Sequence, residues 1–334
     1  MSQDARGHDV VVLGASAGGV EALRSVVAGL PRGFPAAVFV VLHMPPEAPS
    51  ALAAILDRAG PLPAKPVDHK QAIEPGRIYV ARPNRHLVLR DGHVGLEAGP
   101  RENSARPAID VLFRSAARAY GPRVVGVVLS GTLRDGALGL AAIKLYGGVT
   151  IVQDPDEALF PGMPESALST GGVDYRLRAA DISTCLVELT HHSLEETPMQ
   201  PRQRGQSQPT IHAADEPYEQ SSPKLPNRAS GLTCPECRGS LWEMSEANSL
   251  RFECRIGHTF GVEALFAEQG ETVEAALWSA INALQERAAT FRRLGIASAR
   301  TDRDAYPERA QQIEHHAAAL LDLLRGLIAD GQVG

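Results

Sequence analysis

Apolar and polar positions along the first two thirds of the chain follow two periods. The runs Val10-Val11-Val12-Leu13, Ala37 to Leu42 and Val124 to Leu129 are continuously apolar, as strands buried on both faces of a parallel sheet must be. Between them apolar residues recur every three or four positions. Val20, Leu23, Val27 and Leu30 precede Pro31, and Ile109, Leu112, Phe113, Ala116, Ala117 and Tyr120 follow Pro107, so each set predicts an amphipathic helix with a marked start or stop. Strands and helices in alternation predict an α/β fold, a doubly wound, mostly parallel sheet with helices on both faces. One segment departs from the alternation: Leu87-Val88-Leu89-Arg90 and His93-Val94-Gly95-Leu96 flank Asp91-Gly92, a type I′ turn signal. An antiparallel hairpin is therefore expected at the sheet's edge.

The pattern changes after this domain, which is expected over 1–194. From Glu195 through Ser230, Pro, Gln, Ser and charged residues leave almost nothing aliphatic to bury, which predicts a linker over 195–230. A small C-terminal unit is expected beyond it, a zinc-ribbon-like segment over 231–260 and a helical hairpin over 261–334. The hairpin stripes are Val273, Leu277, Ile281, Leu284, Ala288 and Phe291, then Ile313, Leu320, Leu324 and Leu327. Such a unit has little core of its own, so its helices are expected to dock on the first domain or on a regulatory partner.

Composition narrows the function classes. The 334 residues are 44% hydrophobic and 22% charged, ordinary globular values, and the formal charge is −6. An acidic balance argues against sequence-independent nucleic-acid binding, which needs a basic surface to release counterions. Met1 to Asp9 is polar and no apolar run reaches a membrane span, so the chain is expected in the cytoplasm without membrane insertion.

Candidate chemistry gathers where the apolar runs end. Gly14-Ala15-Ser16-Ala17-Gly18 matches GxSxG, which puts Ser16 on a sharp strand-to-helix turn and aims the helix's free N–H groups, near Ala17 and Gly18, where an oxyanion would form. A dinucleotide fold would want GxGxxG and an acidic residue after the second strand, whereas this chain reads GxxxGG and His43. His43 suits a base, and Asp135, in the loop Ser130-Gly131-Thr132-Leu133-Arg134-Asp135-Gly136, suits its orienting carboxylate. The order Ser, acid, His of α/β-hydrolases would instead call on His191 or His192, but that fold needs several strands before its serine and only one fits here. Asp110 reads as a first-turn helix carboxylate, with a site role as the lesser alternative, His86 as a packed or solvated histidine before one approaching the active-site edge, and His69 and His93 as surface residues.

Three of the four cysteines fall in one stretch. Cys234-Pro235-Glu236-Cys237 is followed, after sixteen residues, by Cys254-Arg255-Ile256-Gly257-His258. Two turns presenting Cys234, Cys237, Cys254 and His258 predict a closed, structural Zn2+ site, with Leu241-Trp242 and Leu250-Arg251-Phe252 as the intervening hairpin. Cys185 lies in an apolar helical segment and reads as packing.

The segments around Ser16, His43-Met44-Pro45-Pro46 and Gly131 to Gly136, in that order, resemble the catalytic domain of CheB, the chemotaxis protein-glutamate methylesterase. The resemblance extends through Pro75 to Ala81, Arg106-Pro107-Ala108-Ile109-Asp110-Val111-Leu112-Phe113 and Gly162-Met163-Pro164, covering roughly residues 9 to 192. It implies that Ser16 is the nucleophile, His43 the base and Asp135 the orienter. It also implies that methyl-accepting chemotaxis receptors are the substrates, as glutamate methyl esters and as certain glutamines to be deamidated, and that catalysis needs no cofactor. Arg106 and Met163 resemble segments lining the family's active-site rim, and Thr132, with Ala17 and Gly18, is expected at the oxyanion site and substrate rim. The best-known members carry an N-terminal phosphorylatable receiver domain. Ser16 lies so near the start of this sequence that no such domain, and no phosphorylation in cis, is expected. Thr132 stands where the family suggests methionine, and Ala17 where threonine is frequent, which motivates an alternative: a non-catalytic regulatory binding module of a signalling complex.

Overall fold

The computed structural model describes residues 7–45, 50–132, 134–191, 228–246, 249–297 and 305–329. The expected linker lies outside the described residues except for 228–230, which open a strand, and His192 lies outside them too. The chain divides into two compact units, Met1–Ala264 and Leu265–Gly334.

The first unit begins with β1 (Val10–Ala15), α1 (Gly19–Ala28), β2 (Ala37–Leu42), α2 (Leu52–Ala59), β3 (Ala64–Pro66), β4 (Gln71–Ala72), β5 (Ile78–Val80), β6 (His86–Arg90) and β7 (His93–Glu97). It continues with α3 (Ile109–Tyr120), β8 (Val124–Val128), α4 (Ala137–Leu145), β9 (Val149–Gln153), α5 (Gly162–Ser169), β10 (Tyr175–Leu177) and α6 (Ala179–His191). Seven strands form one sheet in the order β10-β9-β8-β1-β2-β5-β3, and every pairing is parallel. The two faces of each central strand feed two cores. Val11, Leu13, Val38, Val40, Val125 and Val127 pack against α1, α2 and α6. Val10, Val12, Phe39, Val41, Val124 and Val128 pack against α3, α4 and α5. This double burial is why the strand sequences are apolar without alternation. Because β1 lies between β2 and β8, the chain reverses its winding direction at β1, and its carboxyl end borders the crevice where open α/β sheets place ligands.

The hairpin β6–β7 does form, with the expected Asp91-Gly92 turn, but it does not join the edge of the main sheet. It pairs with β4 in a separate three-stranded sheet. Leu87, Leu89 and Val94 are buried in the core they share with α3, and the far edge of the main sheet is taken by β3.

Beyond the undescribed segment come β11 (Arg228–Thr233), β12 (Ser240–Glu246), β13 (Ser249–Cys254) and β14 (Thr259–Gly261), an antiparallel sheet in that order. The unit division falls just after it, so this sheet belongs with the α/β domain and not with the helices that follow. The reason is a set of direct ties. Glu102 Oε1 accepts from Arg251 of β13 at 2.8 Å and from Arg114 of α3 at 2.7 Å. Asn103 N donates to Thr259 O at 2.9 Å, and Gly261 N donates to Asn103 Oδ1 at 3.1 Å.

The last helices are α7 (Val262–Ala297) and α8 (Ala305–Ala329). In the second unit Ile281 and Leu324 are buried against each other with Leu277, Leu320 and Leu327 packed around them, while Phe291 stacks on Tyr306 at 6.2 Å. Pairing of 281 with 324 and 291 with 306 makes the two helices antiparallel. Val273, on the predicted stripe, is exposed. No helix among the described residues is long and apolar enough to cross a membrane.

Candidate active site

The turn after β1 is shaped by two glycines. A Cβ on Gly14 would lie 2.3 Å from the Ile109 side chain, so only glycine lets α3 approach the strand end. Gly18 has φ +70° and caps α1 in the left-handed conformation. Between them Ser16 is half-buried, its own N–H given to Ser130 O at 2.9 Å. The N–H groups of Ala17 and Gly18 stand at the open start of α1. His43 follows the end of β2, the neighbouring strand, and its N–H donates to Ala15 O at 3.1 Å. Ser16 and His43 thus stand side by side on the sheet's carboxyl edge.

Asp135 closes the constellation. Its Oδ2 accepts from His43 Nε2 at 2.8 Å and from Ile109 N at 2.5 Å, and its Oδ1 from Asp110 N at 3.0 Å and Asn103 Nδ2 at 3.1 Å. Burial alone would push this carboxyl up. The His43 bond and charge, together with the two N–H groups at the start of α3, outweigh it and hold the pKa below the usual carboxylate range. An ionised Asp135 fixes the proton of His43 on Nε2 and leaves Nδ1 as the basic nitrogen. That atom is buried and has no hydrogen-bond partner among the described residues.

Asp110 lies beside Asp135 and behaves oppositely. Its Oδ1 accepts from Gly136 N and Gly139 N at 3.1 and 2.5 Å, and its Oδ2 from Asn103 Nδ2 at 3.0 Å. Burial, then the Asp135 and Glu102 carboxylates, pushes it up to about 8. Burial and the neighbouring carboxylates thus favour the neutral form of Asp110, while Asp135 beside it is held toward the ionised form.

The residues expected around the rim fare differently. Thr132 is exposed. Arg106 commits its guanidinium to Asn84 Oδ1 and Gly99 O, bracing its own loop. Met163 is only 1% exposed, its sulfur lying under Gly131, so it forms floor and not rim. His86 is buried between Pro100 O and Ala108 N, whereas His69 and His93 are exposed and His191 ends α6. Cys185, on α6, is half-buried against the core, and burial and then Glu188 push its thiol up to about 11.

Several residues escaped the sequence reading. Ser130 Oγ donates to Ala17 O at 2.8 Å and accepts from Phe160 N at 3.0 Å, which ties the Ser16 turn to the 154–161 loop. That loop sets Leu159, 71% exposed, and Phe160 against Gly18 as an apolar lip. Position at a strand end was the available signal for Ser130. Glu102 and Asn103 sit in a loop without periodicity, and nothing local marks them.

The four candidate metal ligands come together. Cys234 Sγ and Cys254 Sγ lie 3.7 and 3.5 Å from His258 Nδ1, Cys237 Sγ lies 3.6 Å from Cys254 Sγ, and all four ligand atoms fall within 4.8 Å of one another. Tetrahedral Zn–S bonds of about 2.3 Å imply ligand separations of roughly 3.5–3.8 Å, so this donor set fits a zinc ion in size and chemistry. Tight turns shape both halves: Arg238 N donates to Cys234 O at 2.9 Å and Gly257 N to Cys254 O at 2.8 Å.

Residues 11–186 match the family model for the CheB methylesterase. A putative protein-glutamate methylesterase/protein-glutamine glutaminase of Leptospira interrogans is 36% identical over 190 residues, 57% of this chain and 98% of that protein. A protein-glutamate methylesterase/protein-glutamine glutaminase of Anaeromyxobacter dehalogenans is 42% identical over 182 residues, 54% of this chain and 53% of that protein. The crystal structure of the Thermotoga maritima CheB methylesterase catalytic domain superposes with a TM-score of 0.52 at 36% identity, covering 54% of this chain and 98% of that one. The parallel sheet, the serine turn at its carboxyl edge and a family match across half the sequence lead to one assignment: the chain belongs to the CheB methylesterase family.

Proposed function

We propose that Ser16, His43 and Asp135 form the triad with which this methylesterase hydrolyses glutamate γ-methyl esters on methyl-accepting chemotaxis receptors or related signalling proteins, and deamidates selected glutamines. The observation that carries this reading is the 2.8 Å bond between His43 Nε2 and Asp135 Oδ2, with the buried Nδ1 unpartnered among the described residues on the edge that holds Ser16. His43 Nδ1 takes the Ser16 proton as Oγ attacks the γ-carbonyl. Asp135 stabilises the imidazolium, and the N–H groups of Ala17 and Gly18 hold the oxyanion. The imidazolium returns its proton to the departing methoxide, releasing methanol, or to the departing amide nitrogen, releasing ammonia. Water, deprotonated by the same nitrogen, then attacks the acyl-enzyme and frees glutamate and Ser16. Leu159 and Phe160 supply an apolar lip for the substrate segment, beside the exposed Thr132.

The second element of the reading is structural. Cys234, Cys237, Cys254 and His258 hold one Zn2+ with no open coordination position, which organises β11 to β14 and takes no part in bond making. The decisive experiment measures methanol released from membranes bearing carboxyl-methylated receptors, comparing wild type with Ser16→Ala. Release that depends on Ser16 supports the triad, and equal release by both proteins refutes it.

A further inference from the structure

The amide of Asn103 occupies a position that the hydrolytic reading does not use. It is 6% exposed, and its single NH2 group donates to both buried carboxyls, Asp110 Oδ2 at 3.0 Å and Asp135 Oδ1 at 3.1 Å. Its oxygen accepts from the backbone N–H of Gly261 at 3.1 Å. Gly261 ends β14, the short strand that begins directly after His258. An amide that flipped would present its oxygen to two carboxyls, so the Gly261 N–H fixes which way it faces. Asn103 N, donating to Thr259 O, and Glu102, bound to Arg251, hold the same loop on the same sheet.

We propose that Asn103 is a positioning residue for Asp135, and that the cysteine-bearing sheet, through Gly261, is a working part of the hydrolase. The inference rests on the triad and metal readings above. A metal at Cys254 and His258 sets the turn from which β14 starts, so its loss slackens the amide that orients Asp135. The metal never meets the substrate, yet turnover depends on it.

The test uses the full chain and four variants. Asn103→Ala removes the amide. Gly261→Pro removes one N–H, and Gly261→Ala restores it with a Cβ that meets Leu138 Cδ1 at an ordinary 3.5 Å. Ser16→Ala is the turnover blank. The readouts are kcat and KM for methanol release, and the deshielded His43 Nε2 proton in the NMR spectrum. Asn103→Ala and Gly261→Pro are expected to lower kcat by about 10- to 100-fold, the scale of one buried hydrogen bond to a charge, with KM little changed. Both should shift or broaden the Nε2 proton, and Gly261→Ala should rescue both readings. Stripping zinc with a chelator should reproduce the shift in wild type and add nothing in Asn103→Ala, because the two changes break one path. A folded Asn103→Ala with wild-type kcat and resonance overturns the proposal. If that variant does not fold, the Gly261 pair decides. Failure of the underlying readings is separable: turnover surviving Ser16→Ala removes the triad but leaves the resonance as a readout, and wild type without zinc removes the metal arm alone.

Discussion

Asp110 and Asp135 cap each other's helices. Asp135, just before α4, accepts the N–H groups of Ile109 and Asp110 at the start of α3, while Asp110, in the first turn of α3, accepts those of Gly136 and Gly139 at the start of α4. Each carboxyl thus sits on the positive end of the other's helix. The exchange locks the loop that carries Asp135 and explains how that residue stays ionised without solvent.

The arrangement predicts a pH dependence of stability. In the folded chain Asp110 keeps its proton to about pH 8, whereas in the unfolded chain it loses it near pH ~4. Folding takes up a proton in that window, so its contribution declines as pH rises from about 4 to about 8. Asp135 and Glu102 are held below their usual range and act in the opposite sense, losing their contribution as pH falls through their folded values. Melting temperatures measured from about pH 5 to 9 should fall on the alkaline side, and Asp110→Asn should flatten that fall. An unchanged slope in the variant would refute the assignment.

In the neutral ring of His43 the proton should sit on Nε2, the nitrogen that faces Asp135. Nitrogen-15 NMR of the ring settles this directly, and a protonated Nδ1 in the resting enzyme would contradict the mechanism. His43→Ala should lower turnover by about 10^2- to 10^4-fold, the range of a positioned general base.

Glu102 accepts from two arginines on different elements and is buried with them, with side-chain exposures of 8%, 12% and 10% for Glu102, Arg114 and Arg251. Removing a carboxylate shared by two buried guanidiniums should cost about 3–5 kcal/mol. The denaturation midpoint of Glu102→Ala measures it, and a loss within the range of a surface substitution would show that the clamp is dispensable.

Native mass spectrometry should find one zinc ion per chain, absent in Cys254→Ser. Hydrogen exchange of β12, β13 and β14 should quicken in that variant, while amides of β1 and β2 keep their protection. Equal exchange with and without metal would mean that the sheet is held by packing alone.

Leu159, exposed beside Gly18, should matter for the substrate and little for the fold. Leu159→Asp is expected to raise KM by about tenfold, the scale of losing one apolar side-chain contact, with a stability change within about 0.5 kcal/mol. An unaltered KM would place the substrate elsewhere on the edge.

Much of the architecture is legible from local pattern. Continuous apolar runs fix β1, β2 and β8 because both faces of each strand are covered, and the glycine spacing fixes the Ser16 turn because few other residues permit it. The Asp91-Gly92 signal gives the hairpin but not its partner, since alternation records which face is buried and not against what. The cysteine spacing brings four ligand atoms together on paper as in space. Glu102 and Asn103 leave no such trace, because their partners Arg251 and Gly261 lie 149 and 158 residues away and nothing local constrains either loop residue. Met163 misleads for another reason: resemblance places its segment near the site, but only packing puts its sulfur beneath Gly131.

The sequence distance between Asn103 and Gly261 also has a temporal meaning. A ribosome adding roughly 5–20 residues per second delivers Ser16, His43 and Asp135 well before it delivers β14. The sheet and its helices can therefore close around the aspartate pair early, while the amide that sets it waits for a strand not yet made. On the proposal above, newborn chains would be shaped like the enzyme before they work like it, and translation products arrested before β14 would carry Ser16, His43 and Asp135 yet lack the strand that orients the Asn103 amide.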